Sequence, residues 1–237
     1  EIMQIAEDHD LAVIEDAAHA PGGSLDGKAL GTWGDMGCFS FFSNKNLSTG
    51  EGGMITTNRD DIAEKVKLQR SHGMTSLTFD RHKGHAFSYD VIDLGYNYRI
   101  DEIRSTLGIE QLKKLADNNT KRGELTAKYW QGLASTSLGL PFSKGVRGVA
   151  SYHVFPVILP EGISRHEFMT GLRDAGIQTS IHYRPIHTFT YYQNKYAKAL
   201  LPITELVGQR EVTLPLYPTM GEEKINLVVN QVKHLLA

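Results

Sequence analysis

Leu11 to Ile14 form an unbroken apolar run that stops at two carboxylates, Glu15 and Asp16 ("LAVIED"). A short apolar run with acids at its end reads as a strand buried on both faces, the kind that builds parallel sheets. Parallel sheets bind their ligands outside the carboxyl ends of their strands. Asp16 is therefore placed where chemistry happens. "MGCFSFF" (36–42) and "GGMITT" (52–57) read as two more strands. Residues 1–9 read as the end of an amphipathic helix, and "RDDIAEKVKLQRSHG" (59–73) as a helix closed by Gly73. Strands alternating with helices predict an α/β fold with a mostly parallel sheet.

The chain then changes rhythm. Residues 74–98 read as irregular, with Gly, Tyr, Asp and His. "DEIRSTLGIEQLKKLAD" (101–117) reads as a helix capped by Asp101. Asn118 and Asn119 interrupt the pattern, and a second helix is expected over about 120–135. Beyond it, "SYHVFPVIL" (151–159) reads as a strand in which Pro156 marks an edge or a bulge. Ser164 and Glu167 make a capping box for a helix over 164–177. "QTSIHY" (178–183) reads as a strand, and 203–210 and 222–237 as helices around "TLPLYP". Two domains are predicted: an α/β unit over 1–118 and a smaller α+β unit over 119–237.

Composition narrows the function classes. The 237 residues, 41% hydrophobic, suffice for one large domain or two modest ones. Lys plus Arg number 25 against 27 Asp plus Glu, and neither half is strongly basic, so nucleic acid and anionic membrane are not expected as partners. Cys38 is the single cysteine, which suits a reducing compartment. No apolar run approaches the ~20 residues that span a bilayer, and no signal-peptide pattern is visible, so a cytoplasmic protein is expected. The chain begins at Glu1 inside a helical pattern, which reads as a piece of a longer protein.

The stretch "SFFSNKNLSTGEGGM" (40–54) sets the chemical question, because Lys45 stands where an apolar strand meets a glycine-rich turn. Lys45 is either a solvated strand-end lysine or a nucleophile. A nucleophilic amine must lose its proton, which takes desolvation or a neighbouring positive group. Its natural reaction is condensation with a carbonyl, including the aldehyde of pyridoxal phosphate (PLP). That cofactor also needs an acid beside its pyridine nitrogen and donors for its phosphate. Asp16 can be the acid, Ser40 lies at a strand end five residues before Lys45, and "STGEGG" (48–53) permits close backbone approach. The turn is not a P-loop, because GxxxxGK[ST] is absent and Lys45 precedes the glycines. Each signal alone has a bland reading: a solvated acid, a packing histidine at His19, an ordinary turn. Their conjunction on adjacent α/β elements favours a site.

"VIEDAAHA", "GDMGCFSFFSNKNLSTGEGGMITTN" and "LGYNYRIDEIRSTLGIEQLKKL" together resemble the DegT/DnrJ/EryC1/StrS family of fold-type-I, PLP-dependent sugar aminotransferases. The resemblance continues through "YHVFPV", "GIQTSIHYRPIH" and "LPLYP" and so covers nearly the whole chain. It implies that Lys45 is the lysine of the internal aldimine and later the base that moves the substrate proton. Asp16 then pairs with the pyridine nitrogen, His19 lies beside the ring, and Ser40 contacts the phosphate. Asn97 in "GYNYR" reaches the phosphate held by a neighbouring subunit, which implies a homodimer with shared active sites. His182, Tyr183 and His187 in "HYRPIH" fall where the family's small domain meets substrate, with packing or surface roles as the alternative. Arg99 could bind an anion, but a structural ion pair is the preferred reading.

Two departures stand out. Family members carry well over a hundred residues before the aspartate strand, including a phosphate-gripping loop, an aromatic that stacks on the ring and much of the sheet. A chain without them is expected to be a piece of a longer enzyme, or to fold poorly and bind PLP weakly. "RSTLG" (104–108) replaces smaller apolar residues and reads as local variation. Retention of Lys45 argues against the family's dehydratases, in which histidine takes its place. The expected activity is transfer of an amino group from an amino acid, with glutamate the foremost donor, to a nucleotide-linked keto sugar. Other PLP chemistry on this fold and a non-catalytic or regulatory homologue are the alternatives.

Overall fold

The structure, a computed structural model, describes residues 1–75, 88–196 and 199–237. The chain divides into two compact units, Glu1–Ala116 and Asp117–Ala237. The irregular stretch expected over 74–98 lies partly outside the described residues.

The first unit opens with α1 (Ile2–Asp8) and is built on a three-stranded sheet. Its strands are β1 (Ile14–Asp16), β4 (Met36–Ser40) and β5 (Gly53–Thr56), in the order β1-β4-β5. A small antiparallel pair, β2 (Ser24–Leu25) and β3 (Lys28–Ala29), lies between β1 and β4 in sequence. β1 runs parallel to β4 with Asp16 opposite Cys38, whereas β5 runs antiparallel to β4 with Ser40 opposite Gly53. The sheet is thus mixed, not mostly parallel. The segment after β4 turns back and lays β5 alongside it in the antiparallel sense, without a crossover helix.

The apolar run that predicted a buried strand overlaps the observed strand only at Ile14. β1 begins at Ile14, while Leu11 and Ile14 are each 60% exposed, so one face of this sheet is unpacked within the unit. The buried apolar residues of the first unit are few, chiefly Ala6, Ala17, Leu47 and Leu115. α2 (Asp60–Arg70) follows β5 with Asp60 and Asp61 in its first turn and Lys67 and Arg70 in its last, both favourable to the helix dipole.

The break expected at Asn118 and Asn119 does not occur. α3 runs unbroken over Glu102–Leu133, 32 residues or about 48 Å at 1.5 Å per residue. An interior asparagine costs only about 0.5 kcal/mol relative to alanine, and Asn119 is buried, so packing overrides local preference. The start is as expected: the Asp101 carboxylate accepts the Arg104 N–H at 2.8 Å.

The second unit carries a proper core. Tyr129, Leu133, Val157, Leu172, Val212 and Val232 are fully buried in it. β6 (Phe155–Ile158) and β7 (Glu211–Leu214) pair antiparallel, and the other side of β6 carries an isolated bridge to Gly139 from Ile158, two residues beyond Pro156. α4 (Arg165–Asp174) is capped by Ser164, whose hydroxyl accepts the Glu167 N–H at 3.3 Å. α5 (Thr190–Lys195), α6 (Pro202–Arg210) and α7 (Glu222–Leu236) complete the unit. The strand expected over 178–183 is reduced to one bridge, Ser180 to Thr213, because the next ladder donor, His182 N–H, turns to the Glu211 side chain at 2.8 Å. Among the described residues no helix is long and apolar enough to cross a membrane, and no cluster of three metal-ligating side chains occurs.

Candidate active site

Two neighbours at the end of β1 have different fates. Strand geometry sends Glu15 and Asp16 to opposite faces. The Glu15 carboxylate accepts backbone N–H groups of Gly31 (2.8 Å), Trp33 (2.6 Å) and Gly34 (2.9 Å), which fixes the 31–34 loop. Asp16 is exposed and accepts one local N–H, from Ala18 at 3.0 Å. His19 comes next in the turn, half-buried.

Lys45 lies in the loop that leaves β4. Ser40 ends that strand, and its hydroxyl accepts the Phe42 N–H at 3.3 Å, starting the turn. The Lys45 N–H closes a further turn on the Phe42 carbonyl at 3.0 Å. Buried Asn46, Leu47 and Thr49 anchor the rest of the loop, and the Thr49 hydroxyl donates to the Glu51 carbonyl at 2.8 Å. Gly50 adopts φ 83°, which β-carbon-bearing residues rarely tolerate, and Gly52 packs so close to Thr49 Oγ1 that a β-carbon would collide. The glycines of 48–53 therefore serve a tight return beside β4.

Burial pulls the Lys45 amine below its ordinary pKa, and the negative charge of Asp16 opposes that shift. The two groups feel one another across the carboxyl ends of adjacent parallel strands. Partial burial disfavours the charged form of this amine, and the nearby carboxylate favours it.

Asn97 is held by its neighbours. The Tyr96 N–H donates to Gln69 O at 2.7 Å and the Tyr98 N–H to Arg70 O at 3.0 Å, fastening "GYNYR" to the end of α2. Tyr96 and Tyr98 stack at 4.9 Å and are exposed, so they are not core aromatics, and Asn97 between them is exposed too. Arg99 donates to the buried Ser71 hydroxyl at 3.1 Å.

In the second unit, Tyr183 and His187 line one cavity of about 560 Å³, together with Arg184, Tyr192 and Tyr196. His187 Nε2 lies 2.9 Å from Glu205 Oε1, and that contact holds the Glu205 carboxyl below its ordinary range. His182 is not among the lining residues. Its Nδ1 is 2.8 Å from the Thr213 hydroxyl, which donates to Glu211 at 2.5 Å. Sequence reasoning passed over Glu211 and Thr213. The available signal was a pair of polar residues two apart in an otherwise apolar strand, "EVTL".

A family model described as the DegT/DnrJ/EryC1/StrS aminotransferase family matches residues 1–233. The spore coat polysaccharide biosynthesis protein SpsC of Bacillus subtilis (strain 168) is 33% identical over 243 residues, 99% of this chain and 62% of SpsC. Helicobacter pylori PseC, an aminotransferase involved in the biosynthesis of pseudoaminic acid, matches with TM-score 0.91 and 28% identity, over 99% of this chain and 62% of that one. The PLP form of Spr1654 from Streptococcus pneumoniae matches with TM-score 0.85 and 26% identity, over 95% and 57% of the two chains. The chain thus spans 63% and 62% of the length of two curated relatives it matches. Its fold is the α/β fold of fold-type-I, PLP-dependent transferases.

Proposed function

The chain belongs to the DegT/DnrJ/EryC1/StrS aminotransferase family, and from that premise we propose that it carries the PLP lysine of a sugar aminotransferase. The reaction moves an amino group from an amino acid, with glutamate the first choice, to a nucleotide-linked keto sugar. The observation that carries this reading is the placement of Asp16 and Lys45 at the carboxyl ends of two adjacent parallel strands, β1 and β4, with burial lowering the Lys45 pKa.

The donor set suits the cofactor. When bound, PLP supplies an aldehyde for amines and a protonated ring that takes up an electron pair. Lys45 Nζ would provide the amine for that aldehyde and a base to move a proton. Asp16, exposed and facing away from the loop that Glu15 holds, keeps a proton at the ring nitrogen by its charge. His19 would lie beside the cofactor, and Ser40 would offer its hydroxyl to the phosphate. Asn97, displayed by backbone bonds on both sides, would reach the phosphate of a second copy in a homodimer. His182, Tyr183 and His187 are assigned to the sugar substrate. The chain needs neither nucleic acid nor membrane for this work.

The test supplies PLP and glutamate with a nucleotide-linked keto sugar and monitors 2-oxoglutarate. Formation that depends on Lys45 supports the reading. Equal formation by Lys45→Ala rules it out.

A further inference from the structure

Ser71 follows the last residue of α2 and faces Asn97 across an antiparallel bridge. The His72 N–H donates to Tyr96 O at 2.8 Å, and the Tyr98 N–H donates to Arg70 O at 3.0 Å. These bonds flank the facing residues, so Ser71 and Asn97 form the closer kind of cross-strand pair, with side chains on one face. Arg99 follows Asn97 by two residues, the strand spacing that returns a side chain to the same face. Its guanidinium accordingly donates to Ser71 Oγ at 3.1 Å. Ser71 is 1% exposed, whereas Asn97 and Arg99 are both exposed.

The two segments are built to lie close. Gly95 comes so near the Gly73 backbone that a β-carbon there would collide with it. The pairing continues past Gly73, with the Ile92 N–H on Gly73 O at 3.0 Å and the Thr75 N–H on Asp90 O at 2.9 Å. A buried hydroxyl needs a partner, and Arg99 supplies one to Ser71 from beyond Asn97. Asn97 is therefore held on one side by Tyr96 and on the other by Tyr98 and Arg99, with Ser71 opposite, while the residue itself stays exposed.

We infer that Ser71 and Arg99 are positioning residues that set Asn97 for the phosphate group of PLP. The inference rests on the assignment of Asn97 to that phosphate in the proposed function. An asparagine amide donates in fixed directions, and a misaligned hydrogen bond weakens steeply. A loose segment must also give up its freedom when it binds. A segment pinned on both sides and braced at Ser71 meets the phosphate already ordered. Loss of the brace should weaken the hold on the phosphate and leave the rest of the cofactor's contacts alone.

The test titrates the full chain with PLP and with pyridoxal, which lacks the phosphate, and reads borohydride capture on the Lys45 peptide. Ser71→Ala and Arg99→Gln should each weaken PLP binding about threefold to tenfold, the worth of one hydrogen bond. Pyridoxal capture should not change. Arg99 is exposed, so Arg99→Gln leaves the core intact, and Arg99→Lys, which keeps a donor, should recover most of the loss. Adding Ser71→Ala to Asn97→Ala should cost nothing beyond Asn97→Ala alone. Without any cofactor, the Tyr98 amide should exchange its hydrogen about threefold to tenfold faster in Ser71→Ala. Unchanged PLP binding in both variants, equal losses for PLP and pyridoxal, additive losses with Asn97→Ala, or unchanged Tyr98 exchange overturns the inference while the aminotransferase reading stands. Failure of the wild-type chain to capture PLP on Lys45 overturns that reading and this inference with it.

Discussion

Glu15 and Asp16 are neighbours at the carboxyl end of β1, and only Glu15 is committed to the fold. Its two oxygens collect N–H groups from Gly31, Trp33 and Gly34, whereas Asp16 accepts one bond from Ala18. Glu15→Ala leaves three donors without their acceptor and should destabilise the chain by about 3 kcal/mol. Asp16→Ala should change stability by less than about 1 kcal/mol while weakening PLP binding. Urea unfolding and cofactor titration on the two variants separate the roles. Equal destabilisation would contradict the division.

The pairing of Lys45 with Asp16 has a pH signature. Burial disfavours the Lys45 ammonium, and the Asp16 charge favours it. Asp16→Asn removes the opposing influence, so the Lys45 pKa should fall further and its amine should react at lower pH. Rates of Lys45 modification by an amine reagent against pH, read by peptide mass spectrometry, should show that leftward shift. A rightward shift would contradict it. The linkage has a definite sign. The folded chain releases this proton below the ordinary 10.5, so between those values the unfolded state binds more protons and stability rises with pH.

Arg122 anchors the second unit. It is 9% exposed, and its guanidinium donates to Leu216 O at 2.8 Å and His153 O at 3.4 Å, tying α3 to the segments that flank the core strands. Arg122→Ala should cost about 2–4 kcal/mol, because it empties buried volume and leaves carbonyls without donors. Thermal unfolding of the variant checks it, and a loss below about 1 kcal/mol would contradict the anchoring role.

Ser164 caps α4 through the Glu167 N–H. Ser164→Ala should cost about 1 kcal/mol, and Ser164→Asp, which keeps an acceptor at the helix start, should recover most of it. Denaturant midpoints of the two variants report the difference.

Local signals were legible in the sequence where local chemistry settles the outcome. Asp101 and Ser164 announce helix starts by side chains that can accept an N–H, and both caps form. The Lys45 loop was legible because its glycines permit a return few other residues can make. Three things were not legible. Asn118 and Asn119 imitate a break, yet the buried residues on either side keep α3 whole. The direction of β5 depends on how Ser40 and Gly53 come face to face, which no single strand encodes. The Glu211–Thr213–His182 chain joins positions about thirty residues apart through side chains that look like ordinary strand polarity.

The function proposed for this chain turns on Lys45 being the amine that takes up PLP. The direct measurement is incubation of the 237-residue chain with PLP, borohydride reduction and peptide mapping by mass spectrometry, beside Lys45→Ala. The expected result is a visible absorbance band that reduction abolishes, with the reduced cofactor on the Lys45 peptide and loss of both in the variant. Label spread over surface lysines to the same extent in both proteins would contradict it and leave Lys45 an ordinary strand-end lysine.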